Sequence, residues 1–204
     1  FKTGCEKTEG FIETFNSTPI GLLPGCWSKI LRANSGILKP DANVVVTETN
    51  VSNNTKSVAL QSRNSTGDFD VILVSPRVST LAAGSNYRLR FTSRYSNDNI
   101  EIGTLSSSTN TATWTKFETV FFNDTGKQEE YFVDFSSYDG EDQFIGIRLP
   151  NDDSLGFNVV SLDNIIWQPV PLCPEVDNVE VINTTETTAT VTWTSTPVES
   201  AWDV

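Results

Sequence analysis

From Tyr87 to Tyr95 the sequence alternates without a break. Tyr87, Leu89, Phe91, Ser93 and Tyr95 fall on one side; Arg88, Arg90, Thr92 and Arg94 fall on the other. A two-residue period belongs to extended backbone, so this is a strand with one dry and one wet face. Just upstream, Val71 to Val74 is apolar throughout, as a strand covered on both sides must be. Ser75-Pro76 stops it, because proline has no N–H to give to a ladder. Gly84, Ser85 and Asn86 then supply a turn. The expectation is a fully buried strand lying beside a half-buried one.

The rest of the chain repeats this grammar. FIETF (11–15) reads as a strand with Phe11, Glu13 and Phe15 on one side, followed by a turn-rich excursion over 16–27 that ends on a buried Trp27. Residues 32–42 read as loop. Further strands are read over 44–49, 56–63, 99–105, 114–122, 129–135, 144–149 and 157–167. No stretch holds a helical period over about ten residues. About eleven strands at this spacing predict an all-β sandwich.

After Trp167 the composition changes. QPVPLCPEV (168–176) carries three prolines and reads as a linker. VEVIN (179–183) and TATVTWT (188–194) resume the strand pattern. A tail this short cannot bury a sandwich core of its own, so it is expected to be the opening of a domain that continues elsewhere. The organisation expected is a domain over 1–168, a linker over 169–176 and a partial domain over 177–204.

Charge and composition narrow the function. The chain has 14 Lys+Arg against 26 Asp+Glu, a formal charge of −12, so no basic surface for nucleic acid dominates. An acidic chain suits a secreted module and can attract calcium. No apolar run of about 18 residues is present, so no membrane-spanning helix is expected. There is no histidine and no methionine. The lack of histidine removes the Ser-His-Asp triad and most zinc sites. The lack of a starting methionine suggests processing, or a piece of something longer. With no nucleophile elbow and no glycine-rich phosphate loop either, the expectation is a protein that is not an enzyme; carboxylates are plentiful, but nothing singles out a hydrolytic pair.

There are three cysteines, Cys5, Cys26 and Cys173. A Cys5–Cys26 disulfide would close a loop of about 20 residues, worth about 3 kcal/mol in the chain-entropy picture. The alternative is two free thiols. Cys173 has no partner left, which points to a mate outside this chain.

Two resemblances add to this reading. PLCPEVDNVEVINTTETTATVTWTSTPVESAWDV resembles the start of a fibronectin type III domain, with Trp193 at that family's second-strand tryptophan and AWDV opening its third strand. Residues 5–168 resemble the cleaved-adhesin, or choice-of-anchor J, family, a MAM-like jelly roll. The likeness rests on FIETF…GCW, on DFDVILVSPRV with Ile72 where a tryptophan is frequent, on WTKFETV followed by Tyr131–Tyr138, and on the closing SLDNIIW. The resemblance implies a jelly-roll β-sandwich plus the first strands of a second, fibronectin type III-like sandwich. It implies an extracellular adhesion or carbohydrate-binding module in a larger bacterial surface or secreted protein of the type IX secretion route. Its partners would be a glycan or host-surface ligand, with contacts to secretion or anchoring machinery. A structural spacer, or a carbohydrate-binding module attached to a polysaccharide hydrolase, is the alternative.

The same resemblance implies a structural calcium held by Glu13 of the opening strand and Asp163 of the closing one, with backbone carbonyls; Lys56 (through its carbonyl region) and Asp68 or Asp70 are lesser members. Oxygen ligands without histidine suit calcium. For ligand contacts, Arg88, Arg90 and Arg94 form a basic stripe able to grip carboxylated or sulfated glycans, or else to pair across strands with Glu101, Glu118 or Asp134. Trp114 and Tyr95, with Tyr138 and Trp27, are candidates for stacking on sugar rings, although aromatics at alternating positions are more often core. The acidic loops 138–143 and 151–153 offer a second place for calcium but, lacking the full calcium-loop pattern, read rather as solvated turns, and six N-x-S/T sequons begin at Asn16, Asn50, Asn53, Asn64, Asn123 and Asn183.

Overall fold

A computed structural model describes residues 4–35, 41–48, 55–63, 69–96, 99–110, 113–122, 128–150, 157–172 and 177–194. Asp68, Cys173, the 151–153 loop, the AWDV segment and the sequons at Asn50, Asn53, Asn64 and Asn123 lie outside the described residues, as do the side chains of Arg94 and Tyr95. The chain divides into two compact units, Phe1–Pro169 and Val170–Val204.

Among the described residues the first unit holds eleven strands: β1 (Phe11–Glu13), β2 (Ser28–Ala33), β3 (Asn43–Thr47), β4 (Ser57–Arg63), β5 (Phe69–Val74), β6 (Tyr87–Ser96), β7 (Ile100–Leu105), β8 (Thr115–Val120), β9 (Glu129–Asp134), β10 (Phe144–Leu149) and β11 (Phe157–Pro169). The second unit shows one hairpin, β12 (Asp177–Thr184) with β13 (Ala189–Thr194). Every ladder is antiparallel. One sheet runs β3-β4-β11-β6-β9 with β1 also on β11; the other runs β2-β5-β10-β7-β8. Two antiparallel sheets with interleaved strands, closed over one core, make the expected all-β jelly-roll sandwich.

β11 is the spine of the six-stranded sheet. One side of it pairs with β6 from Val160 to Pro169, with two shifts of register. The other side changes partner along its length: Phe157–Leu162 pairs with β4, and Ile165–Trp167 pairs with β1. Asp163 and Asn164 fall in the seam, where the ladder with β6 also shifts register and Asn164 adopts φ 50°. Asparagine tolerates this left-handed backbone better than most residues.

Between the sheets sits an aromatic core. Trp167, Phe15, Phe69, Phe91 and Phe135 are among its largest fully buried side chains. Trp167 stacks on Tyr87, meets Phe135 edge-on, and donates from Nε1 to Thr80 Oγ1 at 2.8 Å. Trp27 is buried between Phe11 and Phe15.

A smaller cluster covers the outer face of the five-stranded sheet: Ile30, Ile72, Val74 and Leu105, with Trp114 and Phe144 packed on them. The indole of Trp114 lies against Gly103 and Gly146; a Cβ at Gly146 would come within 2.5 Å of the ring. The two glycines make the slot that Trp114 fills. This explains why β5 is buried on both faces: Phe69, Val71 and Leu73 face the main core, and Ile72 and Val74 lie under the second cluster.

Several expectations need correction. β5 and β6 do not lie side by side; they belong to different sheets, because the chain crosses the sandwich between Ser75 and Asn86. The strand β2 was not anticipated, and it carries two residues, Arg32 and Ala33, read as loop. In β2 only Ile30 is buried, so no period is visible in the sequence. The opening strand ends at Glu13, although Phe15 (φ 59°) still turns fully inward.

Candidate functional site

The register assembles a candidate binding face on the outside of the six-stranded sheet. Phe11, Trp167, Leu89 and Val133 form one transverse row that points into the core. Each neighbouring row must therefore point outward. The next row is Ile12, Ile166, Arg90 and Phe132, on β1, β11, β6 and β9. Beside it on one side run Gln168, Arg88 and Asp134, and on the other Asp163, Thr92 and Glu130.

At the centre of this face two arginines of β6 lie over an aromatic ring of β9. The guanidinium carbon of Arg88 is 4.6 Å from the centre of Phe132, and that of Arg90 is 5.9 Å from it. Such stacking holds a planar cation over a ring at little entropic cost. Arg90 Nε also donates to Glu130 Oε1 at 2.5 Å. With the Gln168 amide oxygen turned toward Arg88, it lies 3.1 Å from Nε and 2.9 Å from Nη2. Phe132 is 40% exposed and Ile12 72%, so apolar surface remains in contact with water here.

Cross-strand pairing is thus part of the basic stripe: of the acids expected, Asp134 lies opposite Arg88 in the β6–β9 ladder, while Arg90 pairs with Glu130. Glu101 and Glu118 belong to the opposite sheet. There Arg148 lies between Asp70 Oδ1 (3.0 Å) and Glu101 Oε2 (3.1 Å), and Lys116 holds the other Glu101 oxygen at 2.9 Å. Asp70 is consequently a structural ion-pair partner on the far sheet and does not belong with Glu13 and Asp163. Trp114 is half-buried in its glycine slot, and Trp27 and Tyr138 are buried; none stands out from the surface as a sugar platform. Asp142, in the 138–143 loop, accepts from Thr104 Oγ1 at 2.7 Å and is tied to the protein.

Phe132, Glu130, Ile12 and Ile166 were missed. EEYFVDF did contain a signal: Tyr131 and Val133 claim one side, which leaves Phe132 alone among acids on the wet side.

The second candidate is the seam itself. Glu13 lies on β1 opposite Ile165, close enough for its charge to act on Asp163. Each carboxylate is turned toward a nearby left-handed residue: Phe15 N donates to Glu13 Oε1, and Asn164 N donates to Asp163 Oδ1, both at 2.7 Å. Burial first, and then the charge of Glu13, push the Asp163 carboxyl up to about 6, against the pull of the Asn164 amide. One step on from the Val58–Leu162 pair, Ser57 stands abreast of Asp163, and its buried hydroxyl has no partner among the described residues. Lys56 closes the same end of the sheet: its amide donates to Asn16 Oδ1, and its ammonium donates to the carbonyls of Asn16 (3.1 Å) and Thr18 (2.9 Å). Among the described residues no three His, Cys, Asp or Glu side chains gather, so a cation here would rely on two carboxylates, carbonyl and hydroxyl oxygens, and water.

Cys5 and Cys26 are bridged, with Cα atoms 5.5 Å apart. The bridge ties the entry segment to the turn before β2. Next to it is a cleft of about 750 Å³ lined by Trp27, Ser28, Arg77, Ser108 and Phe144.

No family model matches the chain, and no curated protein does. Solved structures do match. The K1 cleaved-adhesin domain of Lys-gingipain from Porphyromonas gingivalis aligns at TM-score 0.55 and 12% identity, covering 79% of this chain and 99% of that one. The K2 domain of Lys-gingipain aligns at 0.55 and 16%, covering 78% and 99%. The K3 domain, also from Porphyromonas gingivalis, aligns at 0.52 and 12%, covering 78% and 97%. At such identities the shared property is the fold: this chain carries a β-sandwich like those of cleaved-adhesin domains.

Proposed function

We propose that the first unit is a non-catalytic extracellular module that binds a glycan or host-surface ligand on the outer face of its six-stranded sheet. The observation that carries this is the Arg88, Arg90 and Phe132 cluster, a partly exposed aromatic ring with two guanidinium groups 4.6 and 5.9 Å from its centre. Sugar C–H faces pack on aromatic rings, and guanidinium groups hold carboxylate or sulfate by paired hydrogen bonds. The disulfide suits an oxidising, extracellular setting, and the likeness in fold to cleaved-adhesin domains agrees with a role in binding. The β12–β13 hairpin leaves Val179, Val181 and Ile182 exposed, in keeping with the opening strands of a fibronectin type III domain.

Array binding of the whole chain tests the reading. Retention of carboxylated or sulfated glycans, weakened about tenfold or more by a combined Arg88→Ala and Phe132→Ala change, is the expected result. Each lost charge-assisted contact is worth roughly 1.5–3 kcal/mol. Binding that survives this change would place the ligand elsewhere and remove the face from consideration.

We further propose that calcium binds at the seam between Glu13 and Asp163. The cation would neutralise a pair of acids, one of which burial, and then the charge of the other, pushes up to about 6. The sign is fixed by linkage. The Asp163 carboxyl is raised when folded, so without metal its contribution is full below about 4 and is lost as pH climbs to about 6. Solvent screening at a half-buried site reduces the effect to about 1 kcal/mol. In chelator, stability is expected to fall from pH 4 to 6 through this group. Calcium at a hundred times its dissociation constant should restore about 2.7 kcal/mol at pH 7.5. Asp163→Asn should abolish both the slope and the gain. A melting midpoint indifferent to calcium and chelator at pH 7.5 would rule the site out.

A further inference from the structure

The cleft beside the disulfide has no part in the sheet-face reading, and its chemistry is specific. Its volume, about 750 Å³, lies in the range that encloses small ligands. One wall is the turn at Cys26 and Trp27, which leads into β2 at Ser28; another is Phe144, at the start of β10; Ser108 comes from the β7–β8 connection. Arg77 adds the one cationic side chain among the lining residues.

These groups are held in place before any ligand arrives. The Cys5–Cys26 bridge fixes the first wall, and Trp27 is clamped edge-on by Phe11 and Phe15. Phe144 rests on the cluster around Ile72 and Leu105. The main chain about Arg77 is pinned as well: Thr8 N donates to its carbonyl at 3.0 Å, and Val78 N donates to the Gln143 carbonyl at 2.9 Å. Ser28 Oγ reaches across to the Ser108 carbonyl at 3.3 Å, a long bond that a ligand hydroxyl could replace. Arg77 Nε donates to Gln143 Oε1; no acidic residue pairs with this guanidinium among the described residues, although the chain carries a charge of −12. A pre-set cation with terminal N–H groups left over is an anion receptor.

We propose that this cleft is a binding site for a carboxylated sugar residue, a hexuronate at the end of a glycan. This rests on the glycan-binding reading above and gives it a second, separate subsite. The carboxylate pairs with the terminal nitrogens of Arg77, the ring's C–H face lies on Phe144, and the hydroxyls meet Ser28 and the Ser108 carbonyl. An inorganic phosphate would leave the aromatic wall unused. A purely apolar ligand would strip water from Arg77 without replacing it.

The test uses the whole chain, isotope-labelled, titrated with methyl glucuronide, methyl glucoside and acetate at equal concentrations. The expected result is saturable shifts at Cys26, Ser28, Ser108 and the Arg77 Nε–H with the glucuronide alone. Arg77→Gln should weaken its binding at least tenfold, while Arg77→Lys retains part of it. Thermal melting of both variants reports that they are folded; should either fail to fold, Phe144→Leu is measured instead and should weaken glucuronide binding several-fold. Equal shifts with acetate would overturn the proposal, because they mean carboxylate capture without a ring. Equal shifts with the glucoside would overturn it by removing the role of charge. Glucuronide affinity unchanged in Arg77→Gln would also overturn it. The two readings fail separately: array binding lost in the Arg88→Ala, Phe132→Ala variant but kept in Arg77→Gln leaves the sheet face and removes the cleft. Array binding that survives in the Arg88→Ala, Phe132→Ala variant but is lost in Arg77→Gln does the reverse.

Discussion

Trp167→Ala is expected to cost about 3–5 kcal/mol, which takes away much of the 5–15 kcal/mol that typically holds a domain folded. The indole is 1% exposed, at the place where β1, β6 and β11 meet. It touches Tyr87 at 5.3 Å between ring centres and Phe135 at 5.1 Å. Its N–H is also the first link of a short chain, since Thr80 Oγ1, which accepts from it, donates in turn to the Glu9 carbonyl at 2.6 Å. Truncation therefore opens a cavity and frees a segment that helps to hold the entry of the chain. Trp167→Phe keeps most of the packing but loses the hydrogen bond, and should cost about 1–2 kcal/mol less than the alanine change. Urea denaturation measures both. A midpoint for Trp167→Ala within experimental scatter of the parent would show that the core closes without this ring.

Opening the Cys5–Cys26 bridge is the second large effect. The bridged residues are 21 apart in sequence, and a closed loop of that size is worth about 3 kcal/mol in the chain-entropy picture. For a unit of this length the melting midpoint should fall by roughly 6–12 °C on reduction. A Cys5→Ser, Cys26→Ser variant should match the reduced protein. The bridge works beside other ties: Ser79 N donates to the Thr8 carbonyl at 2.9 Å, and Thr8 forms a parallel bridge with Val78. A loss smaller than about 1 kcal/mol would mean that those hydrogen bonds alone hold the entry segment. The loosened turn also carries Trp27 and Ser28, so reduction should weaken glucuronide binding in the cleft together with stability.

Much of the architecture was legible in the chain. The alternation in Tyr87–Tyr95 and the apolar run Val71–Val74 gave the two strand types, and the same reading found every strand of the six-stranded sheet. The resemblance to jelly rolls, and not the alternation, put Glu13 and Asp163 on neighbouring strands, which the β1–β11 ladder agrees with. β2 escaped because SKILRA is an edge strand with a single buried residue, and one contact leaves no period to read. Trp114, open between core and sugar platform in the sequence, owes its half-burial to Gly103 on β7 and Gly146 on β10, two positions without side chains.

The sequence by itself determined which side is dry in the strands that alternate, since side-chain direction follows from a local two-residue repeat and from hydrophobicity. Only the tertiary structure decided which wet sides share a face. Phe132 comes to lie against Arg88 and Arg90, and β11 changes partner at Asp163, through ladder registers set by contacts far apart along the chain. A shift of one residue in either register would send those side chains to the other face, and nothing local in the sequence records that choice.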